Sequence, residues 1–162
     1  MTNLENRKII FLDIDGVLNS DAYADYMLTE ENVDIFNEDM LDERAIVQLK
    51  KIVEATDAEI VLSSSWRWYK DTRDKVHYQL RQKGIDFVDT TPREIDTTMS
   101  RGAEIKAWLD NHPETEKFVI LDDDELRVEE YLPYHVKTTF RYGLTREKAA
   151  EAIKILNGET NE

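Results

Sequence analysis

The chain contains no cysteine, which excludes disulfide frameworks, thiolate zinc sites and thiol nucleophiles together. Redox chemistry would need a bound cofactor. Only 5 glycines and 3 prolines occur in 162 residues. That leaves no material for a linker or low-complexity tract, so one domain over residues 1–162 is expected. Histidine is as scarce: His77, His112 and His135 lack any metal-ligand spacing and are expected at the surface or at helix ends, not in catalysis. Basic charge is also in deficit, with 21 Lys and Arg against 35 Asp and Glu and a formal charge of -14. The overall field therefore repels long polyanions, and no extensive nucleic-acid surface is expected. Long apolar runs are missing too. The run Ile9 to Leu12 is broken by Asp13 and Asp15, far short of a signal sequence or a membrane span, so a cytoplasmic address without membrane contact is expected.

What is present alternates regularly. Short apolar runs too brief for helices occur at 8–13, 58–63, 84–88, 117–122 and, more weakly, 135–138, and each reads as a buried strand. Between them, residues 42–56 place Ala45, Leu49, Ile52 and Val53 on one helical face. Residues 101–110 do the same with Ile105, Trp108 and Leu109 behind Ser100, a capping residue, and Trp108 reads as core. A weaker amphipathic stretch at 71–83 stops at Gly84, and the tail from Thr145 carries Ala149, Ile153 and Leu156 at helical spacing. This order predicts an α/β fold: a Rossmann-like three-layer sandwich with a mostly parallel sheet of about five strands and helices on both faces. Ligands on such sheets bind beyond the carboxyl ends of the strands.

Three of those ends carry polar chemistry: Asp13/Asp15, Ser63/Ser64/Ser65 and Asp122/Asp123/Asp124. Taken alone, Asp13-Ile-Asp-Gly16 is equally well a polar turn closing a strand. If the strand ending at Asp122 lies beside the first, however, up to five carboxylates converge, and like charges that close cannot all ionise unaided. A hard divalent cation with oxygen ligands, magnesium above all, resolves that conflict.

In this order, Phe11-Leu-Asp-Ile-Asp-Gly-Val-Leu18, Ile60-Val-Leu-Ser63, Arg101 at a helix start and Val119-Ile-Leu-Asp-Asp123 resemble the four motifs of the haloacid dehalogenase-like (HAD) phosphohydrolases. The stretches Leu62-Ser-Ser-Ser-Trp-Arg67, Arg101 to Leu109 and Gly143-Leu-Thr145 resemble, more narrowly, the small single-domain members associated with nucleic-acid repair modules. The resemblance implies a phosphatase. Asp13 would be the nucleophile forming an aspartyl-phosphate, and Asp15 the acid that protonates the leaving oxygen and then activates water. Magnesium would sit on Asp13, the Asp15 backbone carbonyl and Asp122, with Asp123 a further ligand or a group just behind the ligands, and the triple Asp122-Asp-Asp124 leaves open whether Asp123 or Asp124 is the outer one. Ser63, or Ser64 one residue on, would bind a phosphoryl oxygen, and Arg101 would take the place of the family's Lys or Arg clamp. The chemistry agrees with the likeness, since a carboxylate attacking a phosphate dianion needs a cation and a basic clamp. Spacings between the motifs leave no room for a large cap, so an open site is expected.

Two further segments bear on the substrate. Residues 21–43 hold nine acidic side chains and no Lys or Arg, which reads as a solvated flap in preference to a screen against extended polyanions. The segment Trp66-Arg-Trp-Tyr-Lys70, followed by Arg73, Lys75, Arg81 and Lys83, sets aromatics beside cations. It is either a stacking surface for a base and its phosphates or a surface helix whose Trp residues pack on the core. Arg67, leaving the strand end beside Ser63, is a candidate phosphate ligand. The expected substrate is a nucleotide, a nucleic-acid phosphate end or a small phosphorylated metabolite. A phosphotransferase, or a non-enzymatic magnesium-binding module on the same fold, stands as the alternative. No feature fixes the oligomeric state.

Overall fold

The computed structural model describes residues 6–29, 41–93 and 100–159. The five apolar runs form strands β1 (Arg7–Leu12), β2 (Glu59–Leu62), β3 (Phe87–Thr90), β4 (Thr115–Asp122) and β5 (His135–Lys137). Helices are α1 (Asp21–Thr29), α2 (Glu43–Thr56), α3 (Lys70–Arg81), α4 (Arg101–Asp110) and α5 (Arg146–Leu156). Every strand pair is parallel and the sheet order is β3-β2-β1-β4-β5. The fold is a Rossmann-like α/β sandwich, as expected from the alternation of elements.

Side-chain alternation divides the core in two. Ile10, Leu12, Ile60, Leu62, Val119 and Leu121 pack with Ile46, Leu49 and Ile52 of α2, Val76 and Leu80 of α3, and Ala149 and Ala152 of α5. On the opposite face Ile9, Phe11, Val61 and Ile120 meet Ile105 and Trp108 of α4, together with Tyr131. The chain winds outward from β1 through β2 to β3, then crosses to the other side and builds β4 and β5. The reversal falls between β1 and β4, where the diverging connections leave a crevice for ligands.

Two elements differ from the expectation. The third strand lies at Phe87–Thr90 instead of 84–88, because Gly84 (φ 79) turns the chain sharply after α3 and its pairing with β2 begins only at Phe87, opposite Ile60. Helix α1 was not expected at all, since its composition offers no apolar stripe. Its start is fixed by Ser20, whose Oγ accepts from Tyr23 N at 3.1 Å, and by Asp21 N and Ala22 N donating to Phe140 O and Arg141 O. The rest of the expected acidic flap, residues 30–40, lies outside the described residues. Among the described residues no helix is long and apolar enough to cross a membrane.

The first turn of α4 is pressed against the chain that follows β4. A Cβ on Gly102 would meet Leu126 O and Val128 Cγ2, both at 2.5 Å. Gly to Ala within a helix ordinarily stabilises by up to about 1 kcal/mol. Here Gly102→Ala is expected to destabilise by about 1–3 kcal/mol through overpacking, read as a lowered urea midpoint. An unchanged or raised midpoint would show that α4 can move away freely.

Candidate active site

In the parallel ladder Leu12 stands opposite Leu62 on one side and Leu121 on the other. The next residues, Ser63, Asp13 and Asp122, therefore form one row across β2, β1 and β4. Ser63 N donates to Leu12 O at 2.8 Å and Asp13 N to Leu121 O at 3.0 Å. Phe11, Val61 and Ile120 face α4, so two residues on, Asp13, Ser63 and Asp122 face it as well. Helix α4 begins at the same edge, capped by Ser100, whose Oγ accepts from Ala103 N at 3.2 Å. Its first residue, Arg101, sets Nη1 3.0 Å from Asp13 Oδ1 and 2.7 Å from Asp122 Oδ2.

Burial dominates the electrostatics of this cluster. Asp13 is pushed up to about 8, first by desolvation and then by Asp122 and Asp123, against the opposing pull of Arg101. Asp123 is raised by burial and by Asp122. Burial works against the charge on Arg101, yet Asp13 and Asp122 outweigh it and hold its pKa above the ordinary value. One guanidinium thus pairs with two members of a cluster of three carboxylates, Asp13, Asp122 and Asp123, whose oxygens lie within 4.8 Å of one another. This all-oxygen donor set with excess negative charge fits a hard divalent cation such as magnesium.

Gly16 makes room for the third carboxylate. It holds φ 80, and a Cβ there would fall 2.2 Å from Asp123 Oδ2, so the Asp123 side chain lies against a backbone that only glycine leaves bare. Asp124 points elsewhere. Its carboxylate accepts from Glu125 N at 2.8 Å and its own N–H donates to Asp122 Oδ1 at 3.0 Å.

Asp15 occupies a different environment two residues beyond Asp13. It is exposed, with Oδ1 accepting from Asn19 Nδ2 at 2.9 Å and Oδ2 from Trp66 Nε1 at 3.2 Å. Asn19 Oδ1 in turn accepts from Gly16 N at 2.9 Å, which braces the turn. The two serines also separate. Ser64 Oγ accepts from Trp66 N at 3.1 Å and caps the 3-10 helix Ser65–Trp68. Ser63 is 1% exposed and its Oγ has no partner. A buried hydroxyl without a partner beside Asp13 is a donor available to a ligand.

Arg67 is placed differently from the expectation. Its side chain is buried, and Nε donates to Thr91 O at 3.0 Å, Nη1 to Ser63 O at 3.1 Å and Ser64 O at 2.8 Å. Nη2 donates to Pro92 O at 3.2 Å and Glu104 Oε2 at 2.6 Å. All five N–H donors of the guanidinium are satisfied within the protein, which leaves none for a phosphate. Arg67 instead ties the ends of β2 and β3 to α4. Sequence reasoning passed over its partner Glu104, and Asn19 and Trp66 as the residues that hold Asp15. Glu104 had a readable signal: an acidic residue four before Trp108 shares the helix's core face and demands a buried cation.

The fold and this row of strand ends define a HAD-type phosphohydrolase-like domain. A family model described as the HAD domain in Swiss Army Knife RNA repair proteins matches residues 9–149, and the chain belongs to that family. Neither a curated protein nor a solved structure matches the chain.

Two outcomes follow from this geometry. Arg67→Lys keeps the charge near Glu104 but leaves buried carbonyls without donors, and is expected to cost about 2–4 kcal/mol in denaturant unfolding. A loss below about 0.5 kcal/mol would show that the clamp is dispensable. Magnesium at a hundredfold excess over its Kd is expected to raise the melting temperature by about 5–10 °C, and Asp123→Asn to remove most of that rise. A wild-type protein indifferent to magnesium would sink the metal assignment.

Proposed function

We propose that the chain is a magnesium-dependent phosphomonoesterase acting through an aspartyl-phosphate on Asp13. The observation that carries this reading is the clustering of Asp13, Asp122 and Asp123 at the switch point of the sheet, with Arg101 paired to Asp13 and Asp122 and the unpartnered hydroxyl of Ser63 alongside. The Asp13 carboxylate attacks phosphorus as the bond to the leaving oxygen breaks, and Asp15 delivers a proton to that oxygen. Asp15 then removes a proton from the water that attacks the acyl phosphate, which releases inorganic phosphate and regenerates the Asp13 carboxylate. Arg101 and Ser63 hold the equatorial oxygens of the transferring group, where charge must be balanced for a carboxylate to approach. Asp13, Asp122, Asp123 and the Asp15 carbonyl would hold magnesium, which when bound would supply further neutralisation of charge on those oxygens.

Charge contacts separate the roles of the two acids. Burial opposes ionisation of Asp13, but Arg101 at 3.0 Å favours its carboxylate and a bound divalent cation would favour it further, whereas Asp15 is exposed and held by the neutral donors Asn19 Nδ2 and Trp66 Nε1. The exposed Asp15 also supports the expected open site. Membership of a family named for RNA repair favours a phosphorylated nucleic-acid end as the substrate. The net charge of -14 agrees with a short or terminal ligand making few phosphate contacts.

The test is phosphate release from an aryl phosphate, free nucleotides and 3′- or 5′-phosphorylated oligonucleotides. Wild-type turnover is expected to vanish with EDTA and to fall at least about a thousandfold in Asp13→Asn and about a hundredfold in Asp15→Asn. A folded protein that binds magnesium and releases no phosphate from any of them would move the reading to a binding module. Residual activity in Asp13→Asn near wild type would exclude covalent catalysis there.

A further inference from the structure

The row of strand ends does not stop at Ser63. Leu62 stands opposite Thr90, and Thr91 N donates to Leu62 O at 3.0 Å, so Thr91 follows Ser63 in the row. Two strand spacings, roughly 10 Å, separate it from Asp13. Beyond it the sheet edge opens into a groove of about 430 Å³ lined by Trp68, Arg73, Thr91, Arg93 and His112 among others.

The groove is equipped for an anion attached to a flat ring. Trp68 is 40% exposed, and the Arg93 guanidinium lies over its ring at 4.5 Å. Among the described residues neither Arg93 nor Arg73 pairs with a carboxylate, and Arg73 Nη1 donates to the backbone of Arg67 at 2.7 Å. The lining holds one carboxylate, Asp89, which already accepts from Trp108 Nε1 at 2.9 Å. Thr91 is 2% exposed, and its Oγ1 has no partner. In a chain with a net charge of -14, two guanidiniums without an acidic partner beside an exposed indole form a local exception to the overall field.

We propose that this groove binds the second nucleotide of a phosphorylated single-stranded end, the one beyond the nucleotide that carries the terminal phosphate. The base stacks on the Trp68–Arg93 platform, and Arg73 and Arg93 take the internucleotide phosphate. The preferred substrate is then an oligonucleotide end, not a mononucleotide or a small metabolite. A duplex is disfavoured, because stacking on Trp68 needs an unstacked base and the overall charge repels a long phosphate array. This inference rests on the phosphomonoesterase reading of the Asp13 site.

The test compares kcat/KM across phosphorylated oligoribonucleotides of one to four nucleotides, with the phosphate at either end, for wild type, Trp68→Ala and Arg93→Ala. Wild type is expected to gain at least about tenfold between the mononucleotide and the dinucleotide. The ratio of the two is expected to fall close to one in both variants. Equal wild-type values for the two lengths, or a ratio that neither variant changes, would overturn the groove and leave the phosphatase reading standing. If no substrate turns over, fluorescence anisotropy of a labelled, phosphorylated tetranucleotide in EDTA still decides. Binding that weakens at least about tenfold in Arg93→Ala, with a salt slope reduced by about 0.7, would support the groove after the phosphatase reading had failed. Absence of binding would overturn both.

Discussion

The structure depends on how charge is buried at the carboxyl edge of a parallel sheet. Asp13 and Asp122 are among the least exposed polar residues of the protein, and an unpaired carboxylate there would be strongly disfavoured. Arg101 meets both with one nitrogen, and it can do so only because α4 starts at that edge. Ser100 caps the helix, and Gly102 lets its first turn approach the chain after β4. The excess of carboxylate over guanidinium suits the site to a cation.

A second buried cation keeps the scaffold in register. Arg67 bridges four carbonyls at the ends of β2 and β3 and pairs with Glu104 on α4. A bridge of this kind adds little to stability compared with an apolar core, but it is intolerant of partial loss. Its effect is geometric. It fixes the spacing between Ser63, Thr91 and the helix that carries Arg101, the same three elements that border the candidate catalytic cluster and the groove beside it.

The short segment after β2 shows how one run of sequence divides its work. The aromatic and basic residues 66–70 admitted two readings, a stacking surface or a packed helix, and the structure divides the segment between interior and surface. Trp66 turns toward Asp15 and packs on the core, Arg67 is internal, and Trp68 stays at the surface beneath Arg93. A 3-10 helix advances about 120° per residue, so consecutive side chains point in three directions. Period-based reading cannot assign those directions without knowing the axis of the helix.

The sequence by itself determined the strand–helix alternation, the parallel sheet and the acidic character of its carboxyl edge, because these follow from local periodicity and from where apolar runs end. Asp13, Ser63, Arg101 and Asp122 were legible as candidates for the same reason, each standing at a strand end or a helix start. Only the tertiary structure decided that Asp123 and not Asp124 joins the cluster, that Ser63 and not Ser64 keeps a free hydroxyl, and that Arg67 is internal. Asp123 and Arg67 are settled by partners more than 20 residues away, Asp13 and Gly16 for the one and Thr91 and Glu104 for the other, whereas Ser64 is taken by the cap it forms to Trp66 N. Pairing register and helix placement set those distant partners, and neither is written in local spacing.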